Sequence, residues 1–216
     1  MNAARDIGIG GDDRGVHFDA DRKRRLVAVV AQAIIDKTEE LTALDAAIGD
    51  GDHGHNMKRG FEAVLEDLAA LSAMDLPGLL KAVGTKLVMK VGGASGPLYG
   101  TVFLALAKEL PDAPSRGAAE KACAAAIAAV RARGKGEVGQ KTLLDVLTPA
   151  LDAFVAGGGA RAVKEAAELA AERTIPMRAT RGRASFLGDR SIGHMDPGAR
   201  SSALMIAALC DELGGR

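Results

Sequence analysis

The chain has no tryptophan and one tyrosine, and aromatic residues make up only 3% of its 216 positions. A β-sandwich or β-barrel fills its half-buried sheets with aromatic and β-branched side chains, so this scarcity argues against one. Alanine and leucine carry the apolar share instead, as in closely packed helices. Charge of one sign is also missing: 28 basic side chains balance 28 acidic ones. No global field therefore points to nucleic acid or to an anionic membrane surface. The two cysteines, Cys123 and Cys210, both fall in apolar helical stretches. So placed, they read as reduced packing residues of a cytoplasmic protein rather than a disulfide framework. No apolar run is long enough, and free enough of glycine and charge, to span a bilayer. Residues 1–15 are polar and rich in glycine and aspartate, with no hydrophobic leader segment, so secretion is not expected.

What the chain does have is helical periodicity punctuated by glycine. Residues 1–18, with Gly8, Gly10, Gly11 and Gly15, predict a flexible N-terminal arm, leaving 19–216 as a single helical domain. One helix is expected over 19–37, with Leu26, Val29, Val30, Ala33 and Ile34 on one face. A second carries the stripe Phe61, Val64, Leu65, Leu68 and Leu71. Asp75 caps a third, with Pro77 tolerated in its first turn. Leu98–Leu110 and Ser115–Arg133 follow. Leu144, Leu147, Leu151 and Phe154 stripe the next, with Pro149 as a candidate kink. Ala160–Thr174 comes after it, and Asp196-Pro197 opens a last helix that ends at Gly214. Eight helices, no strand and short connections predict an all-α, antiparallel up-and-down barrel or bundle.

The chemistry concentrates in Leu44-Asp45-Ala46-Ala47-Ile48-Gly49-Asp50-Gly51-Asp52-His53-Gly54-His55-Asn56. Three carboxylates this close repel one another unless a cation neutralises them, and a hard divalent ion is the usual answer. Glycine makes the Asp50-Gly51-Asp52 step a tight loop, and the apolar run after it makes that loop the entrance to a helix. A helix N-terminus suits phosphate, so magnesium carboxylates beside a phosphate cradle describe a nucleotide site. An acidic capping turn is the alternative. Zinc, from His53 and His55 with the aspartates, fits less well because no cysteine is near. An EF-hand fails, with Gly54 at its fifth position and no glutamate at its twelfth.

Three further loops fall, on the eight-helix count, at the same end of the bundle. They are Val91–Pro97, Gly134–Gly139 and Arg178–Gly198. Glycine-rich loops gathered there let backbone N–H groups approach phosphates. Gly134–Thr142 narrowly misses a P-loop, since Gln140 separates the second glycine from Lys141 and no strand precedes it. Arg178–Gly198 is too long and polar for a passive turn and reads as a lid whose four arginines can meet phosphoryl charge. A solvated face or a nucleic-acid patch is the competing reading, weakened by the absence of interleaved aromatics.

Taken together, the Leu44–Met57, Val91–Thr101 and Gly182–Ala199 motifs resemble the L subunit of dihydroxyacetone kinase, which is also the C-terminal nucleotide-binding domain of single-chain dihydroxyacetone kinases. The likeness runs in order over residues 20–214. It implies a barrel of eight antiparallel helices binding ADP or ATP at one end through two magnesium ions. By motif, Asp45, Asp50 and Asp52 would be the metal ligands. His53, Gly54, His55 and Asn56 would meet the phosphates, with Ala94 and Ser95 adding donors. Gly134 and Leu143 fall where the family contacts the base. Arg183, Asp196, Pro197 and Gly198 belong to the closing lid, with Arg183 as the catalytic candidate. Phe186 replaces a common tyrosine, Met195 a residue that is polar in some members, and His55 takes a variable slot.

In that family the keto-sugar sits on a separate K subunit, and some members keep ADP as a bound coenzyme recharged by a phosphotransferase-system M subunit. The resemblance thus implies a cytoplasmic phosphotransferase subunit, half of an enzyme. Its partner is a K subunit, with an M subunit and a homodimer as further candidates. Nucleic acid and membrane are not expected partners. Two alternatives remain at this stage: an ADP-binding regulatory module that docks on a transcription factor, and a helical scaffold with an incidental acidic turn.

Overall fold

Ten α-helices and one 3-10 helix account for most of residues 15–215, the part of the chain that the computed structural model describes. They are α1 (Ala20–Ile35), α2 (Thr38–Ile48), α3 (His53–Glu66), α4 (Leu68–Ser72), α5 (Leu76–Lys90), α6 (Ser95–Glu109), α7 (Arg116–Gly134), α8 (Leu144–Val155), α9 (Ala160–Arg173) and α10 (Pro197–Gly214), with the 3-10 helix at Arg183–Ser191 before α10. No strand occurs among the described residues.

Eight of these helices close a ring. In order round it, α1 packs on α3, α3 on α5, then α5, α6, α7, α8, α9 and α10 each pack on the next, and α10 returns to α1. Ties between opposite ends show that neighbours run antiparallel. Arg25 near the start of α1 pairs with Glu212 at the end of α10 (3.1 Å). Arg59 in α3 donates to the Lys90 carbonyl at the end of α5 (2.8 Å), and Lys164 in α9 pairs with Asp211 in α10 (2.8 Å). The result is the expected all-α antiparallel barrel. The helices alternate in direction, so the loops 49–52, 91–94, 135–143 and 174–196 all emerge at one end.

Small residues let the ring close tightly. A Cβ on Gly84 would lie 3.0 Å from the Gly100 carbonyl, and one on Gly100 would lie 2.9 Å from the Gly84 carbonyl, so α5 and α6 touch backbone to backbone. Alanines 150, 167, 170, 171, 199 and 203 do the same work among α8, α9 and α10. Ile34, Leu41, Met57, Phe61, Leu87 and Leu144 fill the main core with almost no exposure.

Several expectations are corrected. Residues 38–48, for which the sequence predicts no helix, form α2, which lies outside the ring against α3 and α10. No side chain caps its start, although Glu39 and Glu40 stand in its first turn; burial of Leu41 and Ile48 holds it. The stripe from Phe61 to Leu71 breaks at Asp67 into α3 and the short α4. Helix α6 starts at Ser95 rather than Leu98, inside the glycine cluster. The predicted arm falls outside the described residues up to 14. Residues 15–18 have no regular secondary structure but are docked, with Val16 N–H donating to the Pro114 carbonyl (3.0 Å) and Phe18 buried.

Candidate functional site

At the loop-bearing end, α2, α3, α6 and α10 and the segment before α10 enclose a cleft. Helix α2 supplies Asp45 from its last turn, where the carboxylate turns onto the start of α3. Asp45 Oδ2 accepts the backbone N–H groups of Asp52 (2.9 Å) and His53 (3.1 Å), capping α3 from outside its own sequence. Gly51, at φ +74°, takes the left-handed conformation that turns the chain between Asp50 and Asp52. Gly49 leaves room for Asp45, because a Cβ there would fall 2.2 Å from Asp45 Oδ1. The outcome is that carboxylate oxygens of Asp45, Asp50 and Asp52 lie within 4.8 Å of one another, Asp45 buried and the other two exposed. An all-oxygen, triply anionic set suits a hard divalent cation such as magnesium.

His53 does not join that set. Its Nδ1 meets Ser95 Oγ (3.0 Å) and its Nε2 meets Ser201 Oγ (2.9 Å), so both ring nitrogens are taken by hydroxyls. Burial pulls its pKa below the ordinary histidine value, against the opposing charges of Asp45 and Asp52. Zinc ligation by His53 and His55 therefore has no geometric support: His55 lies on the exposed side of α3, near Thr42 Oγ1 (3.2 Å). Ser201 also meets the hydroxyl of Tyr99 (2.7 Å), which donates to the Gly198 carbonyl (2.8 Å). This buried chain ties the starts of α3, α6 and α10 together. Burial pushes the Tyr99 phenol up to about 12.

Asp196 caps α10, its Oδ2 accepting from Ala199 N–H (2.7 Å). It is buried, and desolvation raises its carboxyl to about 7. Arg183 lies across the cleft, with Nη1 2.7 Å from Asp50 Oδ2. Ala179, Ala184 and Leu187 pack on Ile48 and dock the arginine-bearing segment on α2.

The cleft thus gathers Asp45, Asp50, Asp52, His53, Ala94, Ser95, Leu143, Arg183, Asp196, Pro197 and Gly198. Four other candidates from the sequence do not line it. Gly54 is packed beneath α2, where a Cβ would sit 2.1 Å from the Thr38 carbonyl. His55 faces away. Asn56 is buried and accepts from Arg59 Nη2 (2.7 Å). Gly134 stands behind Leu98, which does line the cleft. Sequence reasoning passed over Ile48, Gly92, Gly93, Leu98, Tyr99, Lys141, Thr142, Arg181, Gly182 and Ala184 as site residues. Gly92 and Gly93 in the second glycine loop, Arg181 among the lid arginines, Tyr99 as the sole tyrosine and Lys141 in the near-miss P-loop carried a visible signal. Lys141 proves to be no phosphate lysine, since backbone carbonyls surround its ammonium group.

The DAK2 domain family matches residues 47–211. The chain is 39% identical over 193 residues to the PEP-dependent dihydroxyacetone kinase 1, ADP-binding subunit DhaL, of Listeria innocua, covering 89% of this chain and 96% of that one. It is 42% identical over 183 residues to the corresponding ADP-binding subunit of Escherichia coli, covering 80% and 87% respectively. The crystal structure of the C. freundii dihydroxyacetone kinase in complex with AMP-PNP and Mg2+ superposes with a TM-score of 0.73 at 26% identity, over 93% of this chain and 35% of that longer one. Among the described residues no helix is long and apolar enough to cross a membrane. With its closed helical ring and its acidic loop at the loop-bearing end, this chain belongs to the DAK2 domain family.

Proposed function

We propose that the chain is the cytoplasmic nucleotide-binding L subunit of a dihydroxyacetone or related keto-sugar kinase, with residues 19–216 as its one nucleotide-binding domain. The observation that carries this reading is the convergence of three carboxylates, within 4.8 Å, opposite the Gly92–Ser95 loop and Arg183. The names of its relatives, ADP-binding subunits of dihydroxyacetone kinases, support the same phosphotransferase class.

In this reading Asp45, Asp50 and Asp52 hold two magnesium ions, which neutralise phosphate charge and align the nucleotide. The residues of the chain do the rest. Ala94 and Ser95, where the second glycine loop enters α6, receive phosphate oxygens. Leu143 offers an apolar wall for the base. Asp196, Pro197 and Gly198 shape the rim. Arg183 swings from Asp50 onto the phosphoryl group and stabilises its charge during transfer.

The acceptor hydroxyl comes from a K subunit, a reading supported by the names of the relatives, which are ADP-binding subunits of a larger dihydroxyacetone kinase. Identity is higher to the PEP-dependent subunits (39 and 42%) than to the dihydroxyacetone kinase of C. freundii (33%). That favours ADP as a resident coenzyme recharged through a phosphotransferase-system M subunit.

Isothermal titration with ADP in magnesium and in EDTA tests the site. Binding in magnesium and its loss in EDTA are expected, and equal affinity in both would remove the metal reading. The chain alone should phosphorylate nothing, and a K subunit with dihydroxyacetone and a recharging system should switch activity on. Robust keto-sugar phosphorylation by the chain alone would overturn the half-enzyme reading.

A further inference from the structure

Lys141 is a buried cation that the nucleotide reading leaves without a task. It is 1% exposed, and its φ of +62° is uncommon for a residue with a side chain. Its Nζ donates to the carbonyls of His194 (2.6 Å), Ser191 (2.7 Å) and Met177 (3.0 Å), with that of Ile175 at 3.4 Å. These carbonyls lie on the two stems of the arginine-bearing segment. Ile175 and Met177 lead into it, and Ser191 and His194 lead out. The stems also hold each other: Gly193 N–H donates to the Ile175 carbonyl (2.9 Å), and Ala179 N–H to Ser191 Oγ (2.9 Å). A desolvated ammonium needs all three of its N–H groups accepted, and only the two stems together provide that.

The turn that presents Lys141 is itself anchored. Asp145, buried at the start of α8, accepts from Gly139 N–H (2.5 Å) and Thr142 N–H (2.7 Å). Gln140 Oε1 accepts from Glu137 N–H (2.9 Å) and from Arg181 Nε (3.3 Å). Two residues beyond Lys141 stands Leu143, on the cleft wall.

We infer that Lys141 is a positioning residue for phosphoryl transfer, pinning both stems of segment 178–190 to the cleft wall so that the segment carries Arg183 as one hinged unit. The inference rests on the reading of that segment as the lid of a nucleotide site. With its Nζ held by the carbonyls of both stems, Lys141 acts on the transfer through those stems and Arg183.

Limited trypsin digestion of the full chain, with and without Mg-ADP, tests the clamp. Lys141→Met removes the donors at nearly constant length. Lys141→Gln carries the test should the methionine variant be insoluble. Cleavage at Arg178, Arg181, Arg183 and Arg190 should be at least about tenfold faster in the variant, with the helices as resistant as before. Given a K subunit and acceptor, Arg183→Ala should lower kcat far less in the Lys141→Met background than in the unchanged chain, the non-additivity of residues acting as one unit. Unchanged cleavage of the segment, equal acceleration throughout the helices, or additive effects on kcat would each overturn the clamp. Should the unchanged chain bind no Mg-ADP, the nucleotide reading fails, yet the nucleotide-free digestion still decides whether Lys141 holds the stems.

Discussion

Arg183 spans the cleft to Asp50, guanidinium to carboxylate at 2.7 Å, joining the segment before α10 to the loop before α3. The arginine side chain is 65% exposed and the aspartate 36%, so solvent screens the pair. Exposed ion pairs contribute roughly 0–1 kcal/mol. The contact is therefore weak enough to exchange for a cation on the aspartate and a phosphate on the arginine.

From this, Arg183→Ala should leave the melting temperature nearly unchanged, within about 0.5 kcal/mol of stability. In the reconstituted kinase it should lower kcat by about tenfold or more while Mg-ADP affinity moves much less. Calorimetric melting together with steady-state kinetics checks both halves. A large loss of stability would mean the arginine is structural.

Asp50→Ala and Asp52→Ala should each weaken Mg-ADP binding by about 2 kcal/mol or more, the order of lost charge-assisted contacts. Both side chains are exposed, so the apo fold should be unaffected. Isothermal titration reads the affinity and circular dichroism the fold. Undiminished binding in both variants would remove these carboxylates from the metal site.

Asp196 should impose a pH dependence on the metal-free protein. Its carboxyl is raised from 3.8 to about 7, chiefly by burial, so folding favours the protonated form. Its stabilising contribution is complete below the unfolded value near 4 and is lost as pH rises through about 7. Asparagine caps a helix as well as aspartate and carries no charge. Relative to the unchanged chain, Asp196→Asn should therefore gain stability between pH 4 and 7, on the order of a few kcal/mol. Thermal melts in EDTA across that range check it, and a constant offset between the two proteins would refute it.

Gly54→Ala should destabilise the fold although the residue lies in the acidic motif. Its Cβ would meet the Thr38 carbonyl at 2.1 Å and Thr42 N at 2.8 Å, both backbone atoms of α2. Overpacking of this kind costs about 1–3 kcal/mol, and more where backbone must move. Because α2 carries Asp45, metal-dependent binding should weaken along with the melting temperature. A variant with native stability would show that α2 yields more freely than its packing implies.

Much of this molecule was legible in its residues taken in order. The Phe61–Leu65 and Leu144–Phe154 stripes, the Asp75 and Asp196 caps and the scarcity of aromatics led to an all-α antiparallel ring, because periodicity and capping are local properties. Asp45, Asp50 and Asp52 stood out by charge density, and the fold brings one carboxylate oxygen of each within 4.8 Å of the others. Tertiary structure decided what spacing cannot encode. Helix α2 lacks a capping signal and exists through the burial of Leu41 and Ile48. His53 and His55 are two residues apart on a helix and so face different ways, one onto Ser95 and Ser201, the other outward beside Thr42. Lys141 lies in a segment that only narrowly misses a P-loop, and its task is set by Ile175, Met177, Ser191 and His194, more than thirty residues away in sequence, which close round it. A residue type states which interactions are available; only the packed chain brings the partners that use them.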